Sequence, residues 1–145
     1  MSEDVVITMQ HIQDAGKEEE KLSFVTDGEY FFENNTGHLK YFESNVTGMP
    51  GTVTSLSIMP DRIVVDRKGT VTSRMEFREG EKHSFSYDTP FGTAEMGINT
   101  RAIRQSFDAD GGKAEIEYIL DYEHRQFTRN RFVISVKQQG DRKDA

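Results

Sequence analysis

The chain has no cysteine and no tryptophan among its 145 residues, and only three prolines. Without thiols there can be no disulfide staple and no thiolate metal site, so stability must come from a packed core. A chain of this length can bury about 68–70% of the surface that its unfolded form exposes, so such a core is within reach. No apolar run approaches the roughly 20 residues that a helix needs to span a bilayer. No segment of a dozen residues places apolar side chains at i, i+3, i+4 and i+7, which removes crossover helices and, with them, a parallel sheet. The start, MSEDVVITMQ, lacks the basic and apolar stretches of a secretion signal, so a cytoplasmic address is expected. On that expectation Asn34-Asn35-Thr36 and Asn45-Val46-Thr47 carry no weight as glycosylation sites. A formal net charge of −7 argues against nucleic acid and anionic membranes as partners.

What the sequence has instead is aromatic residues in short alternating runs, with ten phenylalanines and five tyrosines. Alternation with a period of two marks strands that bury one face. The runs cover 5–12, 22–33, 38–45, 52–59, 62–66, 70–77, 113–123 and 126–137. Residues 83–104 form two more, folded about Asp88-Thr89-Pro90-Phe91-Gly92, where Pro90 withholds an N–H and Gly92 can take positive φ. The connections are short. Asn34-Asn35-Thr36-Gly37 and DADGG (108–112) read as hairpin turns, and QDAGKEEEK (13–21) as a charged turn around Gly16. Gly28, in the middle of a long strand, predicts a bend or bulge. The corner at Gly92 is expected to matter to stability more than any charged turn, with a substitution at Gly16 nearly silent.

These runs describe an all-β protein: a single antiparallel meander of about ten strands over residues 1–145, with its core within 5–137 and a polar tail at 138–145. Closing the meander into a barrel removes its exposed edges. A β-sandwich is the rival, though it needs longer connections than this chain has.

The sequence carries little overt chemistry. His11, His38, His83 and His124 lie on separate strands or turns with no ligand spacing, so no metal or other cofactor is expected. DADGG resembles the start of a calcium loop but lacks its later carboxylate. No nucleophile elbow and no phosphate-binding glycine loop occurs, so no enzymatic activity is expected. Arg125, Arg129, Arg131 and Lys137 fall on the outward side of the last strand, where pairing with Glu115, Glu117, Asp121 and Glu123 of its neighbour accounts for them. More informative are polar residues in phase with the core: Glu43 behind Leu39 and Tyr41, then Tyr87, Thr89, Thr100 and Tyr118. An inward Glu43 needs a counter-charge or several hydroxyl donors, and Arg67 is the nearest candidate by position.

Tyr41-Phe42-Glu43-Ser44, Arg67-Lys68-Gly69, Met75-Glu76-Phe77, the corner Tyr87 to Gly92, Thr100, Tyr118-Ile119-Leu120 and Asn130 follow one another in an order that resembles the YwiB-like family of bacterial β-barrel proteins. The resemblance spans most of residues 5–137. It implies a calycin-like barrel, similar in shape to lipocalins and fatty-acid-binding proteins, and brings no activity with it. The Gly-x-Trp start of lipocalins is missing, and QDAGKEEEK stands where fatty-acid-binding proteins insert a helical lid. Two functions stay open. One is a barrel holding a small apolar or amphipathic ligand, with Glu43, Arg67, Met75, Tyr87, Thr89, Thr100 and Tyr118 as candidate interior residues. The other is a structural or protein-interaction barrel with a filled core, for which a homodimer through one face is an option.

Overall fold

The alternating runs become ten antiparallel strands in the computed structural model, which describes residues 3–14, 16, 18–123 and 125–139. They are β1 (Glu3–Asp14), β2 (Glu19–Glu33), β3 (Thr36–Phe42), β4 (Thr52–Ile58), β5 (Ile63–Gly69), β6 (Ser73–Phe77), β7 (Lys82–Thr89), β8 (Gly92–Asp108), β9 (Gly111–Tyr122) and β10 (Gln126–Gln138). Gln13, Asp14 and residues 19–21, expected in the charged turn, instead extend β1 and β2. His124 and the tail beyond residue 139 lie outside the described residues. The hairpin after β2 turns on Asn34 and Asn35, at φ 53° and 58°, the left-handed pair that matches the twist of its strands.

Each strand except β6 pairs with the next, and β1 also pairs with β10 from Val5↔Gln138 to Asp14↔Arg129. The meander therefore wraps into a nearly closed barrel. Its sheet order runs from β6 round to β7 and stops there. Across that seam a single bridge links Thr72 and Asp88, with Thr72 N to Asp88 O at 3.0 Å and the reciprocal bond at 2.9 Å. Lower down, His83 Nε2 lies 3.1 Å from Glu76 Oε2. The full closure expected from the meander is thus interrupted. β6 is only five residues long, and the turn after it bonds to β8 instead, Gly80 N to Thr100 O at 2.9 Å and Thr100 N to Glu81 O at 3.1 Å.

Two local expectations are corrected. Of the bend or bulge expected at Gly28, the bulge is absent, because the β1–β2 register runs through it unbroken. Its lack of a side chain serves close packing: a Cβ there would lie 2.5 Å from Ile7 Cδ1 and 2.7 Å from the Lys40 carbonyl oxygen. The register shift is in β8, between Thr100 and Ala102. The contrast between Gly92 and Gly16 also fails, since both have positive φ (130° and 100°) and open space around them.

The interior divides along the barrel axis. At one end Val5, Ile7, Tyr30, Leu39, Ile58, Ile63, Ile98, Ala114, Ile116, Ile134 and Val136 form a packed layer, each at most 2% exposed. Tyr30 closes this end by donating to the Asp108 carbonyl at 2.6 Å. On the outer surface Glu115 sits between Arg131 (2.5 Å) and Arg104 (3.5 Å), so Arg131 of the basic stripe is ion-paired with the neighbouring strand. Exposed pairs of this kind contribute little to stability.

Candidate functional site

Strand phase sets the polar centre of the other half. The alternation that buries Gly37, Leu39 and Tyr41 on β3 continues one residue past the strand, because Glu43 N donates to Thr52 O at 2.9 Å. Glu43 is therefore turned inward and its side chain is 1% exposed. Tyr41, Thr54, Arg67 and Ser73 stand opposite one another across β3, β4, β5 and β6, so a polar row crosses the inner wall beside it. The Thr54 hydroxyl donates to Glu43 Oε2 at 2.5 Å. Arg67 Nε lies 3.7 Å from the same oxygen, and Arg67 Nη1 lies 3.4 Å from Met75 Sδ. Arg67 is thus the counter-charge that an inward Glu43 requires. The pairing is incomplete: Glu43 Oε1 and Arg67 Nε are buried without a hydrogen-bond partner. The Tyr41 hydroxyl interacts with this carboxylate, yet no hydrogen bond reaches Oε1.

Around this pair is a cavity of about 400 Å³, lined by side chains from all ten strands and by Glu43, Thr47 and Met49 of the β3–β4 connection. Its wall is mainly apolar, with Leu22, Phe24, Leu56, Val65, Phe77, Phe85, Leu120 and Phe132 around four methionines, Met9, Met49, Met75 and Met96. Methionine is flexible enough to fit a cavity to differently shaped occupants. Of the residues selected from sequence, Glu43, Arg67, Met75, Tyr87 and Tyr118 line it. Thr89 and Thr100 do not. Thr89 is spent on the turn, accepting from Phe91 N at 3.1 Å and donating to the Gly92 carbonyl at 3.0 Å. Thr100 is buried at the β8 bulge, beneath the β6–β7 turn that bonds to its backbone.

His11, weighed from sequence only as a metal ligand, also lines the cavity and continues the phase of Val5, Ile7 and Met9. Its Nε2 lies 2.9 Å from Asn130 Oδ1. Asn130 Nδ2 donates to the carbonyl and hydroxyl of Thr128 at 3.1 and 3.0 Å, which fixes the amide and leaves Oδ1 to accept from His11. Thr47 and Met49 had no signal, since the loop that carries them has no periodicity. Among the described residues no group of three or more His, Asp or Glu side chains is placed to hold a metal ion. No helix among them is long and apolar enough to cross a membrane.

Burial also sets how the inner phenols ionise. Desolvation pushes Tyr118 up to about 12, against the opposing pull of Arg67. Tyr30 rises to about 12 through desolvation and, second, the nearby Asp108. Tyr41 is raised by burial and then by Glu43. A phenol whose folded pKa lies above its unfolded value of about 10 favours the folded state below pH ~10, and that contribution is lost as pH rises toward about 12. Stability should therefore fall steeply over that window, by roughly 2–3 kcal/mol for the fully buried Tyr118 and by less for Tyr30. Urea titrations from pH 9 to about 12 test this, and Tyr118→Phe should flatten the slope. A wild-type profile flat across the window would contradict it.

Comparison with known proteins agrees with this architecture. Residues 7–134 match the family model described as a domain of unknown function, DUF1934. The uncharacterized β-barrel protein YwiB of Bacillus subtilis (strain 168) is 29% identical over 107 residues, covering 74% of this chain and 73% of that protein. The crystal structure of the Bacillus subtilis protein superposes with a TM-score of 0.85 at 20% identity, over 94% of this chain and 92% of that one. With the family model matched over nearly the whole barrel, the chain belongs to the DUF1934 family of YwiB-like β-barrel proteins.

Proposed function

We propose that this barrel is a binding protein, not an enzyme, and that it holds one small, largely apolar molecule with a polar end beside Glu43 and Arg67. The observation that carries the reading is an apolar cavity of about 400 Å³ with an incompletely bonded carboxylate in its wall. That volume lies within the usual range for ligand pockets, and a mostly apolar lining with a few convergent polar groups is how such pockets are built. An occupant would remove apolar wall from water and meet the unfilled polar capacity at the same time. A barrel with a filled interior, working only through its outer faces, leaves both features without a purpose.

The test uses Nile red, a neutral apolar dye. Its fluorescence should rise saturably at one dye per chain. Met96→Trp, which fills the cavity, should weaken that binding at least about tenfold while the melting transition persists, and Arg74→Ala on the outer face should leave it unchanged. Binding that survives Met96→Trp at full strength would place the dye elsewhere and overturn the reading.

A further inference from the structure

Resting on that reading, we infer that the cavity selects ligands whose polar end is neutral and both donates and accepts a hydrogen bond, a hydroxyl or a primary amide, over ligands ending in a carboxylate. The argument starts from charge. Arg67 lies 3.7 Å from Glu43, so the pair together presents no net charge to an occupant. A carboxylate brought to Arg67 would also face the Glu43 carboxylate, whose side chain is 1% exposed and has little water to screen it. An arginine with no acid beside it would welcome that anion.

The hydrogen-bonding capacity left over points the same way. Thr54 occupies Glu43 Oε2 at 2.5 Å, while Oε1 has no partner. Arg67 Nη1 has only the sulfur of Met75 at 3.4 Å, a weak acceptor, and Nε has no hydrogen-bond partner. One acceptor and one donor therefore remain open within a single ion pair. A carboxylate can only accept and an ammonium can only donate, so each leaves one of the two unmet. A hydroxyl or an amide meets both. Tyr118, which lines the same wall, reinforces the choice, since a phenol is protonated at neutral pH and offers another donor without adding charge.

A matched series decides the matter: octanol, octanamide, octanoate, octylammonium and octane, each competing with Nile red on the full chain at pH 7, where the acid and the amine are charged. Octanol and octanamide should bind at least about tenfold tighter than octanoate, octylammonium or octane, the effect of one charge-assisted hydrogen bond gained or lost. In Glu43→Gln, Arg67 loses its counter-charge and the order of octanol and octanoate should reverse. If Glu43→Gln does not fold, the wild-type series still decides. Octanoate or octylammonium binding as tightly as octanol would overturn the inference while leaving a ligand cavity in place. Octane binding as tightly as octanol would do the same, as expected if a retained water served both open groups. If no member of the series displaces the dye, the binding reading itself fails.

Discussion

Replacing Arg67 by methionine is expected to cost the fold about 3–5 kcal/mol, the range found when one partner of a buried ion pair is removed. Methionine keeps the unbranched bulk of the arginine stem, so the cavity wall should stay filled. What changes is Glu43, whose side chain is 1% exposed and is left with only the hydroxyls of Thr54 and Tyr41 beside it. A carboxylate left in that state has lost both its water and its counter-charge. Glu43→Gln should cost less, because Arg67 is 18% exposed and keeps some access to solvent. The double variant Arg67→Met with Glu43→Gln should recover most of the loss, since no charge is then stranded. Urea denaturation of the four proteins closes this cycle. If Arg67→Met alone falls within about 0.5 kcal/mol of the parent, the pair is an accessory of the wall and not its polar centre.

The second large effect is expected at Gly69, where β5 ends. Its φ is 134°, in the region that L side chains avoid, and a Cβ would run into the Gly51 carbonyl oxygen and lie 3.0 Å from Thr52 Cα. Both obstacles are backbone on the neighbouring strand, so no side-chain rotation relieves them. Gly92 and Gly16 share the positive φ, but nothing lies within 4 Å of the position a Cβ would take. Gly92→Val and Gly16→Val should each cost about 1–3 kcal/mol through backbone strain alone. Gly69→Val adds a backbone clash and should exceed both, on the order of 4–5 kcal/mol. Equal losses at all three sites, measured by thermal and urea unfolding, would show that conformational strain decides and packing does not.

The strands were legible because burial on one face writes itself into every second residue. Phase alone also turned Glu43 inward, and the need for a counter-charge then singled out Arg67 before any geometry was known. Met75, Tyr87 and Tyr118 followed from the same phase. Thr89 and Thr100 carried that phase too: Thr100 is buried opposite Tyr118, as its phase implies, but outside the cavity lining, and Thr89 is half-buried at the turn. At Thr89 the hydroxyl is taken by the turn it starts. At Thr100 the strand is covered by the β6–β7 turn, which bonds to its backbone and sets it apart from the cavity. The β6–β7 seam was hidden for a related reason: whether two strands pair depends on where a neighbouring turn finds its hydrogen bonds, here Gly80 and Glu81 on Thr100. Loop residues Thr47 and Met49 reach the cavity without any pattern that could announce it.

The cavity can be observed directly through its methionines. Met9, Met49, Met75 and Met96 line it, whereas Met59, between β4 and β5, does not. With the methionine methyl groups labelled with ¹³C, a titration with octanol followed by methyl NMR should give saturable shifts at those four with a common dissociation constant. Met59 should stay unmoved. Shifts that never saturate, or that centre on Met59 while the four lining methyls stay still, would contradict the assignment of this cavity as the ligand site.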